Sequence, residues 1–311
     1  MIKFNISISL IMLVLSFATN AQDLFVRKGL FSPHETATEK LQSIGNKNTV
    51  GGYPIIRIGE EMQLLWSKVN YSTGSDVPLG RVLIFTVIKQ KMMASLDMSA
   101  NLATTNSTGW NDEPCKRDNY LWKRSIGGPF KNVNCTTINH IVNYFVEPKG
   151  DFQQIIVAIK DQGIELPPTV IRVTFTRFTS DGRRLVYEVD VNPEQYGLDR
   201  DATTPWGSNS WYKDFVKRDP KKVEFLANLT KWAMDAQDRI ELAFDKKPNA
   251  FENLKSIDEY LTGNKVSQAS EKIKISNMEE KLSFVKSAYE KGLLTESQYN
   301  DQVRTLLEGL K

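Results

Sequence analysis

Apolar positions fall into two rhythms along this chain, and the rhythm changes mark its elements. Val82–Ile88 (VLIFTVI) is an almost unbroken β-branched and aromatic run, the composition of a strand covered on both faces, and it predicts the central strand of a sheet. Beyond Lys89-Gln90-Lys91, the residues Met92, Ala94, Leu96, Met98, Ala100 and Leu102 alternate with Met93, Ser95, Asp97, Ser99 and Asn101. A period of two with one apolar face predicts a half-exposed strand. Tyr53–Ile58, with a proline near its start, reads as an edge or first strand, and Ile141–Val146 as another strand. Met62, Leu65, Trp66 and Val69 recur at helical spacing and predict a short helix over the sheet, and Pro33–Gly45 has the composition of another.

The clearest hairpin lies at Ile171–Val191. Ile171, Val173 and Phe175 share one face of its first strand; Leu185, Tyr187, Val189 and Val191 share one face of its second. A two-residue Asp181-Gly182 loop would put those faces on opposite sides of the ribbon. A three-residue loop, Ser180 to Gly182 with Gly182 left-handed, pairs Tyr187 with Phe175, Val189 with Val173 and Val191 with Ile171, and sets Arg172 opposite Asp190.

Two helices complete the pattern. Asp151 caps one whose Phe152, Ile155, Ile156 and Ile159 share a face, ended by Gly163 and Pro167-Pro168. Asp219-Pro220 starts the longest, where Leu226, Leu229, Ala233, Ala236, Ile240 and Ala243 step by three and four and Phe225 and Trp232 widen the stripe. The fold class expected is α+β: a mainly antiparallel sheet with helices packed on one face.

The chain's start changes the picture of its compartment. Lys3, an apolar run from Ile6 to Phe17 and small residues at Ala18–Ala21 have the form of an export signal removed near Ala21. That run is about a dozen residues, short of the roughly 20 a membrane-spanning helix needs, and no later segment is apolar for long enough. A periplasmic or secreted destination is therefore expected, and there the chain's only two cysteines, Cys115 and Cys135, pair by default. They lie in a stretch, Trp110–His140, that reads as a surface excursion clamped onto the sheet.

Charge narrows partners only by exclusion. The formal net charge of +3 falls to +2 without Lys3, too near neutrality to imply nucleic acid. The chain carries no P-loop, no Rossmann glycine fingerprint, no calcium loop and no G-x-S-x-G elbow, so no catalytic residue, metal or cofactor is assigned. The loop Asn192–Trp211 is where chemistry could hide. Asp199 and Asp201 stand near Trp206, Trp211 and Tyr212, and acids beside flat aromatics suit a carbohydrate-binding groove or a two-carboxylate hydrolase. The simpler reading keeps these aromatics at the core edge. His140, five residues past Cys135, is expected to be a packed or hydrogen-bonded neighbour of the disulfide rather than a base.

Residues 22–48 then read as an N-terminal segment, 49–247 as the body, 248–277 as a polar tether, and 278–311 as a separate amphipathic pair. In that pair Met278, Leu282, Val285 and Tyr289 share one helical face, and Tyr299, Val303, Leu306 and Leu310 another. Gly292 ends the first helix, and Thr295 with Gln298 forms a capping box for the second. Lys291-Gly292-Leu293-Leu294-Thr295-Glu296, followed by Tyr299, Leu306 and Leu307, resembles the SHOCT family of short C-terminal domains. Ser297-Gln298 and Arg304 depart from its usual residues. The resemblance implies a helical hairpin that tethers or self-associates, with a second copy or another envelope protein as partner. The overall expectation is an exported, non-catalytic interaction protein, with a carbohydrate-binding or carbohydrate-active protein built on the Asp199–Tyr212 loop as the alternative.

Overall fold

A computed structural model describes residues 22–27, 33–36, 42–44, 48–59, 62–71, 77–103, 113–126, 132–148, 151–262, 286, 296, 299, 300 and 303. In chain order the strands are β1 (Gln22–Asp23), β2 (Phe25–Arg27), β3 (His34–Thr36), β4 (Gln42–Ile44), β5 (Asn48–Val50), β6 (Tyr53–Pro54), β7 (Met62–Tyr71), β8 (Pro78–Ile88), β9 (Lys91–Asn101), β10 (Trp122–Ser125), β11 (Val133–Val142), β12 (Thr169–Phe178) and β13 (Arg184–Val191). The helices are α1 (Glu113–Lys116), α2 (Asp151–Asp161), α3 (Lys213–Val216), α4 (Pro220–Phe244) and α5 (Ile257–Leu261).

Eight strands form one antiparallel sheet in the order β10-β11-β12-β13-β9-β8-β7-β4. Small sheets of β1-β5-β6 and β2-β3 accompany it. The fold is α+β, as the alternation of patterns implies. The hairpin register is the one demanded by placing both apolar faces on one side: Phe175 opposes Tyr187, Val173 opposes Val189, and Ile171 opposes Val191. Gly182 sits at φ +83°, a conformation that glycine adopts without a Cβ penalty.

One face of the sheet is sealed by α4. Asp219 caps its first turn by accepting from the Lys221 amide, and Pro220 occupies a position where no backbone donor is needed. Leu229, Trp232, Ala233, Ala236, Ile240 and Ala243 are buried against Val173, Phe175, Tyr187 and Val189. Trp232 lies edge-on to Phe175 with ring centres 5.7 Å apart. Each fully buried large side chain of this kind stabilises by roughly 1.5–3 kcal/mol, so truncating Trp232 to alanine is the single change most damaging to this layer.

Helix α2 covers part of the opposite face, where Ile155, Ile156 and Ile159 pack on Leu83, Phe85, Leu65 and Phe145. Helices therefore lie on both faces rather than one. Asp97 and Ser95, expected to face solvent, are buried, because β9 lies at the middle of the sheet between β13 and β8. The run Val82–Ile88 forms an interior strand, third from one edge, rather than the central one.

Other expectations change with the same geometry. Met62–Tyr71 is a strand with a bulge between Leu64 and Trp66, not a helix: Met62 and Val69 pack in the main core and Leu65 and Trp66 in the cluster on the other face, so apolar positions taken from both faces give spacings of three and four. Within the cysteine stretch β10 and β11 pair with each other, and the strand expected at Ile141–Val146 is the end of β11, which stops at Val142. In place of a helix at Pro33–Gly45 stand β3 and β4. Leu24, Phe25 and Ile44 enter the main core, and so do Ala250, Phe251, Leu254 and Ile257. The packed body thus includes described parts of the N-terminal segment and the first residues of the stretch read as a tether. Cys115 and Cys135 are disulfide-bonded, their Cα atoms 5.8 Å apart, and pin α1 to β11.

Candidate functional site

Beyond α2, the sheet face opposite α4 is polar. Directly opposed residues on antiparallel strands share a face, so the register assembles the site. Glu188 stands between Thr174 and Asp97, Asp190 between Arg172 and Ser95, and Ser99 between Val186 and Arg81. Four adjacent strands thus carry three guanidinium and three carboxylate groups on one rigid surface.

Most of these charges are paired with close geometry. Arg172 donates from Nε to Asp190 Oδ1 at 2.7 Å, from Nη2 to Asp190 Oδ2 at 2.8 Å, and from Nη1 to Glu188 Oε2 at 3.0 Å. The ring of Tyr144 lies 4.3 Å from the Arg172 guanidinium carbon, a cation–π contact. Arg81 donates from Nε to Asp97 Oδ1 at 2.8 Å, and its Nη2 also meets that carboxylate. Arg184 Nη1 donates to the Ser99 hydroxyl.

Between the Arg81–Asp97 pair and the Arg184–Ser99 pair lies a cavity of about 280 Å³, lined by Asn70, Arg81, Asp97, Ser99, Arg184 and Glu188 with the apolar Leu79 and Val186. Its formal charges balance, Arg81 and Arg184 against Asp97 and Glu188, and burial tips that balance by disfavouring the Glu188 carboxylate. Burial raises the Glu188 carboxyl above its usual range; the neighbouring Arg172 opposes this, while Asp97 and Asp190 add to it. Burial also lowers Arg184 to about 10, against the attraction of Glu188 and Asp97. Two guanidinium groups and a hydroxyl converging on one cavity supply donors in the geometry that carboxylates and phosphates accept.

The arrangement lacks an activated nucleophile. Neither histidine lines the cavity, and among the described residues no group of three or more His, Cys, Asp or Glu side chains is placed to hold a metal ion.

The residues singled out near Trp211 have other occupations. Asp201 accepts from the Thr203 amide through Oδ1 at 2.8 Å and from the Ser210 amide through Oδ2 at 2.7 Å, closing its own loop. Burial alone would raise its carboxyl, but hydrogen bonds from Ser210 and Thr203 hold it at about 2. Trp211 is fully buried, 5.6 Å from Phe225, with the Lys222 ammonium over its ring. Asp199 is exposed.

Trp206 stacks on His140, ring centres 4.6 Å apart and planes 9° from parallel, and Tyr212 meets Trp206 edge-on at 5.0 Å. Trp206 Nε1 donates to the His140 carbonyl at 3.0 Å, and His140 Nε2 lies 3.1 Å from the Trp206 carbonyl. A ring nitrogen facing a carbonyl must carry the proton, so Nδ1 is the bare nitrogen. His140 packs against this loop rather than beside the disulfide.

Of the hairpin residues, Leu282, Val285, Tyr289, Gly292 and Leu306 lie outside the described residues; Tyr299 and Val303 are helical and half-buried. The polar cleft itself was missed in the sequence. Its one local signal was the series Ser95, Asp97 and Ser99, which by itself looks like an exposed strand face. Compared with known families, curated proteins and solved structures, the chain matches none.

Proposed function

We propose that this is an exported binding protein whose open sheet face holds a small anionic ligand, a carboxylate or a phosphate, between Arg81 and Arg184. The observation that carries the reading is the convergence of both guanidinium groups and the Ser99 hydroxyl on one cavity of about 280 Å³ backed by four hydrogen-bonded strands. Rigid positioning matters because donors fixed before binding lose little entropy when the ligand arrives. Export is supported by the signal-like first 21 residues, and the Cys115–Cys135 disulfide suits an oxidising compartment. No helix among the described residues is long and apolar enough to cross a membrane.

Calorimetric titration of the chain from Gln22 with inorganic phosphate, acetate and succinate tests the cleft. Saturable binding to at least one anion, weakened about tenfold or more by Arg184→Gln, is the expected result. Absence of heat with all three, or affinity unchanged in the variant, would remove the proposal.

The SHOCT-like pattern at residues 278–310 supports a second part of the same proposal, assembly through the C-terminus. Light-scattering mass of the chain from Gln22, against the same chain stopped at Gln268, should fall to that of a monomer on truncation. Equal monomer masses for both would rule this part out.

A further inference from the structure

Three carboxylates gather at the cleft, and they are not held alike. Asp190 takes both Nε and Nη2 of Arg172, at 2.7 Å and 2.8 Å, and is 1% exposed. Asp97 takes Nε of Arg81 at 2.8 Å and meets its Nη2 as well. Glu188 lies directly opposite Asp97 and two residues from Asp190 on the same strand face. Its hydrogen bond among the described residues comes to Oε2 from Arg172 Nη1 at 3.0 Å, a guanidinium already committed to Asp190. The Glu188 side chain is 30% exposed, so protons reach it from solvent.

We propose that the cleft takes up its anion together with one solvent proton, which settles on the Glu188 carboxyl. The proposal rests on the anion reading of the same cavity and adds its regulation: the anion is held in mild acid and released as the solution turns neutral.

The geometry makes Glu188 the group that yields. It lines the cavity with Arg81, Ser99 and Arg184, so an anion between those donors stands beside a carboxylate. A like charge at close range favours the neutral form of the more weakly held group. Asp97 and Asp190 keep their charges, since each is met by two N–H groups of one guanidinium. The charged groups facing Glu188 are Arg172 from β12, Asp97 from β9, Arg81 from β8, and Asp190 and Arg184 from its own strand, with the Tyr144 ring beyond Arg172. Burial already raises its carboxyl, with Arg172 opposing, Asp97 and Asp190 adding, and Arg81 opposing. Once neutral, Glu188 carries an O–H that donates to the anion. A proton bound more tightly with the anion present makes affinity rise as pH falls, in a window above the ordinary 4.5.

Calorimetric titration of the chain from Gln22 with acetate, succinate and inorganic phosphate, from pH 7.5 down to pH 5.5 and in two buffers of different ionisation enthalpy, tests it. The expected result is an affinity that rises by up to about tenfold per pH unit, with a proton drawn from the buffer beyond the ligand's own share. Glu188→Gln should lose both that uptake and the slope, and bind more tightly than wild type at pH 7.5. A second measurement needs no variant: with glutamate side-chain carboxyls labelled with carbon-13, the anion should move one resonance to its protonated position, and Glu188 is the glutamate that lines the cavity. If none of the three probes binds at any pH, the anion reading itself fails and this inference with it. Binding without proton uptake overturns this inference alone, as does an uptake that persists in Glu188→Gln or a set of glutamate resonances that ignores the anion.

Discussion

Arg172 on β12 and Asp190 on β13 stand directly opposite each other and meet through two parallel hydrogen bonds, Nε to Oδ1 at 2.7 Å and Nη2 to Oδ2 at 2.8 Å. Asp190 is only 1% exposed, so its charge depends on this partner. Arg172→Met leaves a buried carboxylate unpaired and should destabilise by about 3–5 kcal/mol, read from the urea unfolding midpoint. The double variant Arg172→Met with Asp190→Leu should recover most of that loss. A single variant within about 1 kcal/mol of wild type would show that water reaches Asp190 freely.

The disulfide closes a separation of 20 residues, worth about 3 kcal/mol when chain entropy of the unfolded state is counted. Cys115→Ser with Cys135→Ser should lower the melting temperature by about 6–12 °C, and reductant should do the same to wild type. Unchanged melting under reductant would mean that α1 contributes little beyond its own contacts.

Asp201 gives a prediction with a sign. Its folded pKa, about 2, lies below the ordinary 3.8, so its stabilisation is present above that ordinary value and is lost as pH falls towards 2. Asp201→Asn should melt lower than wild type at neutral pH, and the gap should close between pH 4 and pH 2. A gap that does not depend on pH would assign the effect to shape and not to charge.

His140 should leave a mark in milder acid. Burial lowers its pKa below 6.5, against the hydrogen bond to Trp206. Below pH 6.5 the unfolded chain therefore takes up a proton that the folded one refuses, and stability should fall as pH drops from 6.5 towards the folded pKa. His140→Gln should flatten the dependence of melting temperature on pH in that window. Burial lowers His34 also, so it adds to the same window, and His34→Gln is measured beside it to separate the two contributions. An identical slope in His140→Gln and wild type would place the titrating group elsewhere.

What could be read in advance, and what could not, follows from how far apart the deciding residues lie. The Ile171–Val191 hairpin was legible because both strands and their turn occupy one short stretch, where each loop length makes a different claim about which face is apolar. Helix α4 was legible because its cap, proline and stripe are local. Met62–Tyr71 reads as a helix because the strand buries apolar residues on both faces, Met62 and Val69 on one and Leu65 and Trp66 on the other, and together they imitate helical spacing. Phe251, Leu254 and Ile257 were hidden among polar neighbours, yet all three are buried. The cleft was out of reach: Arg81, Asp97, Arg184 and Glu188 meet only after β13 returns to pair with β9, and no local pattern announces that pairing.

The interlock of Trp206 and His140 also bears on how the molecule keeps to itself. β10 is only four residues long, and the Leu121 amide just before it holds the outward carbonyl of Ile138 on β11 at 2.9 Å. The next outward carbonyl is that of His140, and the Trp206 indole occupies it. A side chain thus finishes an edge that a neighbouring strand leaves incomplete, and at the far edge β4 runs for only three residues. A sheet margin capped in this way offers a passing strand one fewer acceptor to pair with.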